Sequence, residues 1–222
     1  MLNKKKGVNM KPVRLFDLNM GQMPDTLPLL PLMEMVLMPE GKFSIRLTDY
    51  KQIAMIYWAL ANGRMVAIVQ QKTDKTLYLK GCAARICGFS ENDDDSLMVY
   101  LTGVCRFNVI QETQLDNFKV LKVDYNSFAF DMKPADEHSK QDLLYALNIY
   151  LKTKHIDIDV SLLENLSMRK LIATLASILP FDAGEKQALL ECGDMSNCIQ
   201  TLKTILKMDT IIGNDEKRGL KC

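Results

Sequence analysis

The sequence predicts an α+β protein: an antiparallel β-barrel with one inserted helix, followed by a C-terminal helical bundle. Three observations support this fold class. Before residue 130, six or seven short runs are apolar or alternate polar and apolar residues, as strands do. One early segment repeats its apolar residues at helical spacing instead. Beyond Phe130 the apolar period changes from two to about 3.6 residues, the repeat of an α-helix.

Four segments are predicted along the 222 residues. Residues 1–25 lack periodicity and contain Gly, Pro, Asn and Asp, so we expect a flexible arm. Residues 26–131 are predicted to form a β-rich subdomain and residues 135–212 a helical bundle. Residues 213–222 are expected to form a flexible tail.

The first strands are predicted in the motif LPLLPLMEMVLMPEG at 27–41. Pro28 and Pro31 cannot donate a ladder hydrogen bond, so pairing is expected to start near Leu32 and to stop at the last proline of the motif. The Pro-Glu-Gly that follows has the composition of a turn. Residues 42–47 then alternate polar and apolar side chains. The unit therefore predicts a strand, a turn and a second strand.

One helix is predicted directly after this unit. Asp49 is placed to cap it, and Asn62-Gly63 provides a left-handed stop. Its core-facing stripe is predicted to be Ile53, Ile56, Tyr57 and Leu60. The later strands are predicted at Met65–Val69, Leu77–Leu79, Ala83–Phe89, Leu97–Gln111 with a bulge or bend at Gly103, and Phe118–Tyr125.

Helical periodicity in the second half predicts several amphipathic helices. Asp182 and Glu185 are spaced as a capping box, and Pro180 ends the helix before it. The predicted core positions are Leu143, Leu144, Leu147, Leu151, Leu171, Ile172, Leu175, Ile178, Leu179, Leu189, Leu190, Cys198, Leu202, Ile205 and Leu206.

Composition excludes several classes of protein. No apolar run approaches the roughly 20 residues of a bilayer-spanning helix, so no membrane association is expected. The basic start at Lys4-Lys5-Lys6 has no apolar segment behind it, and a cytoplasmic location is predicted. Residues 27–130 carry eleven basic and eleven acidic side chains, which argues against a surface that follows nucleic-acid phosphates.

Residues with catalytic or metal-binding chemistry are sparse. The six cysteines, among them Cys192 and Cys198, do not have metal-ligand spacing, and no phosphate-binding loop or G-x-S-x-G elbow is present. His138 and His155 belong to no H-E-x-x-H pair and are expected to be solvated. The acidic run at 93–95 is expected to be a hairpin tip rather than a calcium loop. We therefore predict no enzyme activity, cofactor or metal.

The clearest candidate contact residues are Met33, Met35 and Met38. Alternate residues of a strand face inward, so part of this set is expected in the core. The rest is a candidate protein-contact surface, because thioether side chains adapt to varied partners.

Five blocks together resemble the Lon protease N-terminal, substrate-binding domain over about residues 26–212. They are LPLLPL at 27–32, VLMPEG at 36–41, YKQIAMIYWALANGR at 50–64, YLKGCAARICGFSENDDDSLMVYLTGVCRFNV at 78–109 and LPFDAGEKQALLE at 179–191. The resemblance implies a PUA-like β domain followed by a helical bundle that engages substrates. In full-length Lon this module precedes an ATPase and a Ser-Lys protease domain. This chain stops before either, so it is similar to stand-alone members, and no ATP-dependent peptidase activity is expected.

Three positions fall on the family's motifs but no catalytic residue does. Gly81 and Gly103 are expected to serve backbone geometry. Arg106 is expected to pair with a carboxylate or with backbone carbonyls in a structural role.

The predicted function is a non-enzymatic protein-binding module that recognises unfolded or flexible polypeptide segments through strand edges and apolar grooves. The alternative is RNA binding, because PUA-like barrels elsewhere hold RNA. A further alternative is an adaptor or regulator of a full-length Lon hexamer.

Overall fold

The structure is a computed structural model that describes residues 20–132 and 140–219, with side chains for 21–131 and 140–210. The strands are β1 (Thr26–Met33), β2 (Lys42–Leu47), β3 (Met65–Gln71), β4 (Leu77–Glu91), β5 (Leu97–Leu115) and β6 (Phe118–Asp124). The α-helices are α1 (Tyr50–Ala61), α2 (Lys140–Lys154), α3 (Ser161–Glu164), α4 (Met168–Ile178), α5 (Ala183–Glu191) and α6 (Met195–Gly219). Short 3-10 helices lie at Met20–Gln22 and Asn126–Met132.

The strands form a mixed sheet in the order β2-β5-β4-β3-β1-β6. An additional pairing between β5 and β6 closes the last five strands into a ring, which is the predicted barrel. The predicted inserted helix is α1, between β2 and β3. The α+β class is confirmed, but the sheet is not purely antiparallel, because β1 runs parallel to β3.

The predicted opening hairpin is wrong. β1 starts at Thr26, contains both prolines, and pairs with β3 and β6, whereas β2 pairs with β5. Pairing with β6 covers only Thr26–Pro28, so Pro31 has a neighbouring strand on one side alone, where a missing donor is tolerated. Residues 34–41 are a connection between distant strands rather than a hairpin turn.

Glycines in β4 and β5 have different roles. A register shift places Ala83 opposite Cys105 and Ala84 opposite Gly103, which confirms the predicted bulge. Gly81 was predicted to separate two strands, but β4 is continuous through it. A Cβ on Gly81 would lie 2.5 Å from the carbonyl oxygen of Ile68, so close packing against β3 is the reason for this glycine.

Helix α1 begins and ends as predicted, and of its predicted stripe Ile56 is buried while Ile53 and Leu60 pack half-buried against the core. The Asp49 side chain accepts a hydrogen bond from the Lys51 amide at 2.8 Å, and Gly63 has a φ of 94°. The buried residues are Met55, Ile56 and Ala59. Tyr57, predicted to be buried, is instead exposed, and its hydroxyl donates to Glu91 Oε1 at 2.7 Å.

Two apolar clusters hold the molecule together. The first fills the barrel interior and consists of Leu27, Leu29, Met65, Ala67, Val69, Ala83, Cys105, Phe107, Leu121, Val123, Tyr125 and Phe128. The second joins the outer face of the sheet, through residues such as Leu30 and Ile68, to helical residues such as Leu147 and Leu202. The helices therefore pack on the outside of the barrel and form a second core, shared with the outer face of the sheet.

The helical half follows the predicted pattern with two differences. Asp182 and Glu185 form the predicted capping box at the start of α5. Ile178 was predicted in the core but is 48% exposed at the end of α4. Helix α6 continues to Gly219, past the predicted boundary at residue 212. Among the described residues, no helix is both long and apolar enough to cross a membrane.

Candidate polypeptide-binding edge

Strand β2 is the open edge of the sheet. The other five strands close into a ring, whereas β2 pairs only with β5. Its side chains alternate between exposed and half-buried up to Leu47, which is buried. Within the described residues, the far side of β2 therefore has no strand beside it, and such an edge can accept an additional strand.

The hydrogen bonds at Gly103 show which β2 residues face outward. Gly103 N–H donates to the Gly41 carbonyl at 2.9 Å, and its carbonyl accepts from Glu40 N–H at 2.9 Å, so both groups of Gly103 point toward β2. Alternate residues of an antiparallel pair repeat this pattern. The β2 residues opposite Leu101, Val99 and Leu97 complete the ladder. The N–H and C=O groups that point away from the sheet belong to Lys42, Ser44 and Arg46.

An aromatic side chain lies beside the middle of this edge. Tyr100 of β5 pairs with Ser44 on one side and with Gly88 of β4 on the other. Since both neighbours are small, the ring is left 49% exposed. The outer face of the edge therefore combines Lys42 and Arg46 with an uncovered aromatic surface.

The adjacent hairpin tip neutralises one of these cations. Arg46 Nε donates to Ser96 Oγ at 2.9 Å, and Arg46 Nη2 pairs with the Asp94 carboxylate. The hydroxyl of Ser96 is the main group that lowers the pKa of Asp94 below its ordinary value, and Arg46 adds to this effect. The acidic run at 93–95 thus forms the predicted hairpin tip, with Asp94 already bound.

The three predicted methionines separate in the structure. Met33 ends β1 and is 60% exposed, and Met35 is 38% exposed. Met38 was included in the predicted contact surface, but it is buried in the shared core. The reason is that residues 34–38 form a connection rather than a strand, so alternation does not govern which side chains face inward. The candidate surface therefore retains Met33 and Met35.

Arg106 occupies the junction between the barrel and the helices. Its Nε and Nη2 each donate to Asp131 at 2.9 Å, and Nη1 donates to the carbonyls of Leu190 and Cys192 at 3.0 and 2.8 Å. The structural role predicted for Arg106, with a carboxylate and backbone carbonyls as partners, is confirmed. Burial lowers its pKa, but Asp131 offsets this and holds the pKa above the ordinary value.

Other groups complete this junction. The Arg106 guanidinium lies 4.6 Å from the Phe128 ring centroid and 4.9 Å from that of Phe130. Arg169 of α4 donates to the carbonyls of Phe130 and Asp131. The 3-10 segment at the end of the barrel is therefore bound by one arginine from β5 and one from α4. His155 lies exposed at the end of α2, and His138 is outside the described residues.

Comparison with known proteins agrees with this architecture. Residues 26–207 match the family described as the ATP-dependent protease La (LON) substrate-binding domain. The chain belongs to this family. Lon protease of Buchnera aphidicola is 23% identical over 203 residues, covering 87% of this chain and 26% of that protein. Lon protease of Parabacteroides distasonis is 27% identical over 200 residues, covering 83% of this chain and 24% of that protein.

Solved structures of Lon N-terminal domains share the fold. The N-terminal domain of Mycobacterium avium complex Lon protease superposes with a TM-score of 0.64 at 16% identity, covering 82% of this chain and 98% of that one. A Lon N-terminal domain protein from Xanthomonas campestris gives a TM-score of 0.58 at 20% identity, covering 82% and 97%. This chain spans about a quarter of the length of the curated Lon proteases that it matches. The Lon substrate-binding domain itself is a non-catalytic domain.

Sequence reasoning did not locate the open edge of this Lon substrate-binding domain. It identified residues 42–47 as a strand but assigned the wrong partner. A usable signal was present, because charged residues alternating with apolar ones, as at Lys42 and Arg46, are typical of edge strands. Tyr100 gave no signal, since its exposure depends on which residues lie across the two neighbouring strands.

Proposed function

We propose that this chain binds extended segments of other polypeptides by strand addition along β2. The observation that carries the proposal is the open edge of β2 beside an otherwise closed ring of strands. Membership of a family described as substrate-binding supports it. The ligand is a flexible segment of a protein, since only an extended chain presents unpaired backbone groups at strand spacing.

An incoming strand would pair with the outward backbone groups of Lys42, Ser44 and Arg46. Backbone hydrogen bonds do not depend on side-chain identity, so many sequences are accepted. Tyr100 offers an apolar surface to alternate side chains of the ligand. Met33 and Met35 are proposed as a separate apolar contact, adaptable to different ligands. Ordering a flexible ligand costs conformational entropy, so the expected dissociation constant is about micromolar or weaker.

The proposed role requires no catalysis. The protein acts in the cytoplasm as a binding module for unfolded or flexible clients, or as an adaptor that presents them to a Lon protease. Co-purification with a Lon protease from the same cells would favour the adaptor form of this role.

Replacing Ser44 tests the proposal directly. Ser44→Pro removes an outward N–H without removing a ladder hydrogen bond, and proline is tolerated in edge strands. Ser44→Ala removes only the exposed hydroxyl and is the matched control. Fluorescence anisotropy with a labelled, unstructured peptide should give a dissociation constant at least about tenfold weaker for Ser44→Pro and unchanged for Ser44→Ala. Equal binding by both variants, with unchanged melting temperatures, would exclude this edge.

RNA is the second candidate ligand, because the outer face near Tyr100 also carries Lys42, Arg46 and Arg85. The salt dependence of binding distinguishes an RNA ligand from a polypeptide ligand. Backbone pairing and apolar contact should persist in about 0.3 M salt, at which exposed charges are strongly screened. RNA bound through phosphate contacts should dissociate steeply as salt rises. A steep salt dependence with RNA, together with no peptide binding, would replace the proposal.

A further inference from the structure

Two cysteines meet where α5 ends and α6 begins. Cys192 is the C-cap of α5, and its thiol donates to the Ala188 carbonyl at 3.3 Å. Cys198 lies in the first turn of α6, and its thiol donates to the Leu189 carbonyl at 3.9 Å. The two sulfurs therefore lie against consecutive carbonyls of the same helical turn, within hydrogen-bonding reach of each other.

A buried cation is part of this cluster. Arg106 Nη1 donates to the Cys192 carbonyl at 2.8 Å and lies 3.8 Å from Cys198 Sγ. A positive charge beside a pair of thiols favours the thiolate, which is the nucleophilic form of cysteine. The arginine remains charged because Asp131 binds its opposite edge.

The pair is asymmetric. The hydrogen bond from Cys198 is the main cause that lowers the pKa of Cys192 to about 6, helped by the Thr201 hydroxyl and Arg106 and opposed by burial. The same hydrogen bond, together with burial, raises the pKa of Cys198 far above its ordinary value. The pair therefore loses its first proton more readily from Cys192 than from Cys198.

Access is available from one side. Both sulfurs are buried, but the turn that joins them, residues 193–197, is mostly exposed. A cavity of about 10 Å³, lined in part by Arg106, Met195 and Cys198, lies on the Cys198 side of the pair. This volume is close to that of a single water-sized molecule. The exposed turn is therefore the side from which a small oxidant would approach the pair.

We propose that Cys192 and Cys198 form a hydroperoxide-sensitive dithiol that closes to an intramolecular disulfide. Cys192 loses its proton and attacks a peroxide oxygen, so that an S–O bond forms and the O–O bond breaks. The leaving oxygen takes up the proton released from Cys192 and departs as water or an alcohol. Cys198 then loses its proton and attacks the Cys192 sulfur, which forms the S–S bond and releases water. Two thiols are oxidised by two electrons, and one hydroperoxide is reduced. This site is independent of the proposed polypeptide binding.

The consequence is local to the junction. The disulfide removes both thiol protons, and with them both thiol hydrogen bonds to the last turn of α5. It also covalently fixes the turn between α5 and α6, which Arg106 links to the barrel through Asp131.

Peptide mapping of the reduced full chain tests this site. No lysine or arginine lies between Lys186 and Lys203, so both cysteines fall on one tryptic peptide, 187–203. After treatment with hydrogen peroxide and alkylation, this peptide should be lighter by two hydrogen atoms than the unalkylated reduced peptide and should carry no label. Dithiothreitol should restore two labels. Oxidation of Met195 instead adds one oxygen and leaves both cysteines labelled.

Variants and an internal comparison separate the possible outcomes. Cys198→Ser should stop at a sulfenic acid on Cys192 that dimedone traps, and Cys192→Ser should leave Cys198 fully alkylated. The exposed Cys87 is the comparison thiol. The proposal is overturned if peptide 187–203 still takes two labels when Cys87 is already oxidised. It is also overturned if the product is a disulfide between two copies of the chain.

Discussion

The start and the middle of β5 lie beside arginine–aspartate pairs in opposite environments. Near its start, β5 lies between β2 and β4, and Arg46 of β2 pairs with Asp94 at roughly half exposure of both side chains. Near its middle, Arg106 pairs with Asp131, and each side chain is only 2% exposed. The same kind of ion pair therefore lies at an open edge beside the start of the strand and at a closed junction beside its middle.

The two ion pairs have different structural roles. At the junction, a single guanidinium binds the barrel's last segment and the C-terminal end of α5, so it joins the two halves. At the open end, the ion pair is solvated and orders a hairpin tip beside β2. A buried pair is expensive to break, whereas an exposed pair contributes little. Substitutions should therefore have large effects at the junction and small effects at the edge.

The largest expected effect is from Asp131→Ala. It leaves the Arg106 cation buried without its carboxylate, which should cost about 3–5 kcal/mol of unfolding free energy. Urea denaturation measures this cost. The double variant Arg106→Met, Asp131→Leu should recover part of the loss but not all, because the carbonyls of Leu190 and Cys192 lose their donor. A cost below about 1 kcal/mol for Asp131→Ala would show that the junction tolerates the unpaired charge.

The next largest effect is expected at Gly103, which lies on β5 between its open start and Arg106. A Cβ on Gly103 would collide with the carbonyl oxygen of Met38, which is backbone and cannot move aside easily. Gly103→Ala should therefore cost about 1–3 kcal/mol, as overpacking does. The matched control is Gly88→Ala on β4, where a Cβ would lie 3.6 Å from Tyr100 in ordinary contact. Urea midpoints compare the two, and equal destabilisation would contradict the proposed reason for Gly103.

These two positions illustrate what could be predicted from the sequence. Arg106 and the bulge at Gly103 follow from local chemistry: an arginine among apolar strand residues needs partners, and a glycine within a strand indicates a bulge. The helical half could be predicted in the same way, because Leu143, Leu147 and Leu151 of α2 repeat at helical spacing. The identity of the partner, Asp131, was not accessible, since it is 25 residues away along the chain.

Pairing of the first strands could not be predicted for a physical reason. Turn-forming residues at Pro39-Glu40-Gly41 are compatible with a hairpin. They are equally compatible with a connection between two strands that pair with different partners. β1 and β2 are not adjacent in the sheet, and which strands become adjacent depends on contacts between residues far apart in the sequence. The open edge follows from that order, so the candidate site was out of reach of local patterns. The exposure of Met33 and the burial of Met38 also depend on the order of the strands in the sheet.

The pH dependence of cysteine alkylation tests how readily Cys192 at the junction ionises, and it needs no substitution. Iodoacetamide reacts with thiolates, and the pKa of Cys192 is lowered to about 6. The labelling rate of Cys192 should therefore be flat above this pH and fall about tenfold per pH unit below it. Cys105 provides the contrast, because burial raises its pKa to about 12 and it should stay unlabelled at neutral pH.

Removing the partner thiol should shift this profile. Cys198→Ala eliminates the hydrogen bond that is the main cause of the lowered pKa, so the midpoint for Cys192 should move upward. Mass spectrometry of peptide 187–203 measures labelling at each pH. A midpoint near the ordinary cysteine value in the unmodified protein would mean that the Cys198 hydrogen bond and Arg106 together do not stabilise a thiolate at Cys192.

The smallest effect is expected at the open end. Arg46→Ala should leave the melting temperature unchanged within error, because both partners are solvated. It should also raise the pKa of Asp94 less than Ser96→Ala does, since the Ser96 hydroxyl is the main cause of the lowered value. Because that pKa is lowered on folding, the stabilisation is present above the unfolded pKa and is lost as the pH falls through the folded pKa. NMR titration of the Asp94 carboxyl measures both variants. If Arg46→Ala raised the pKa of Asp94 more than Ser96→Ala does, the ion pair would be as important at the open edge as at the junction. That result would contradict the difference drawn between the two ion pairs.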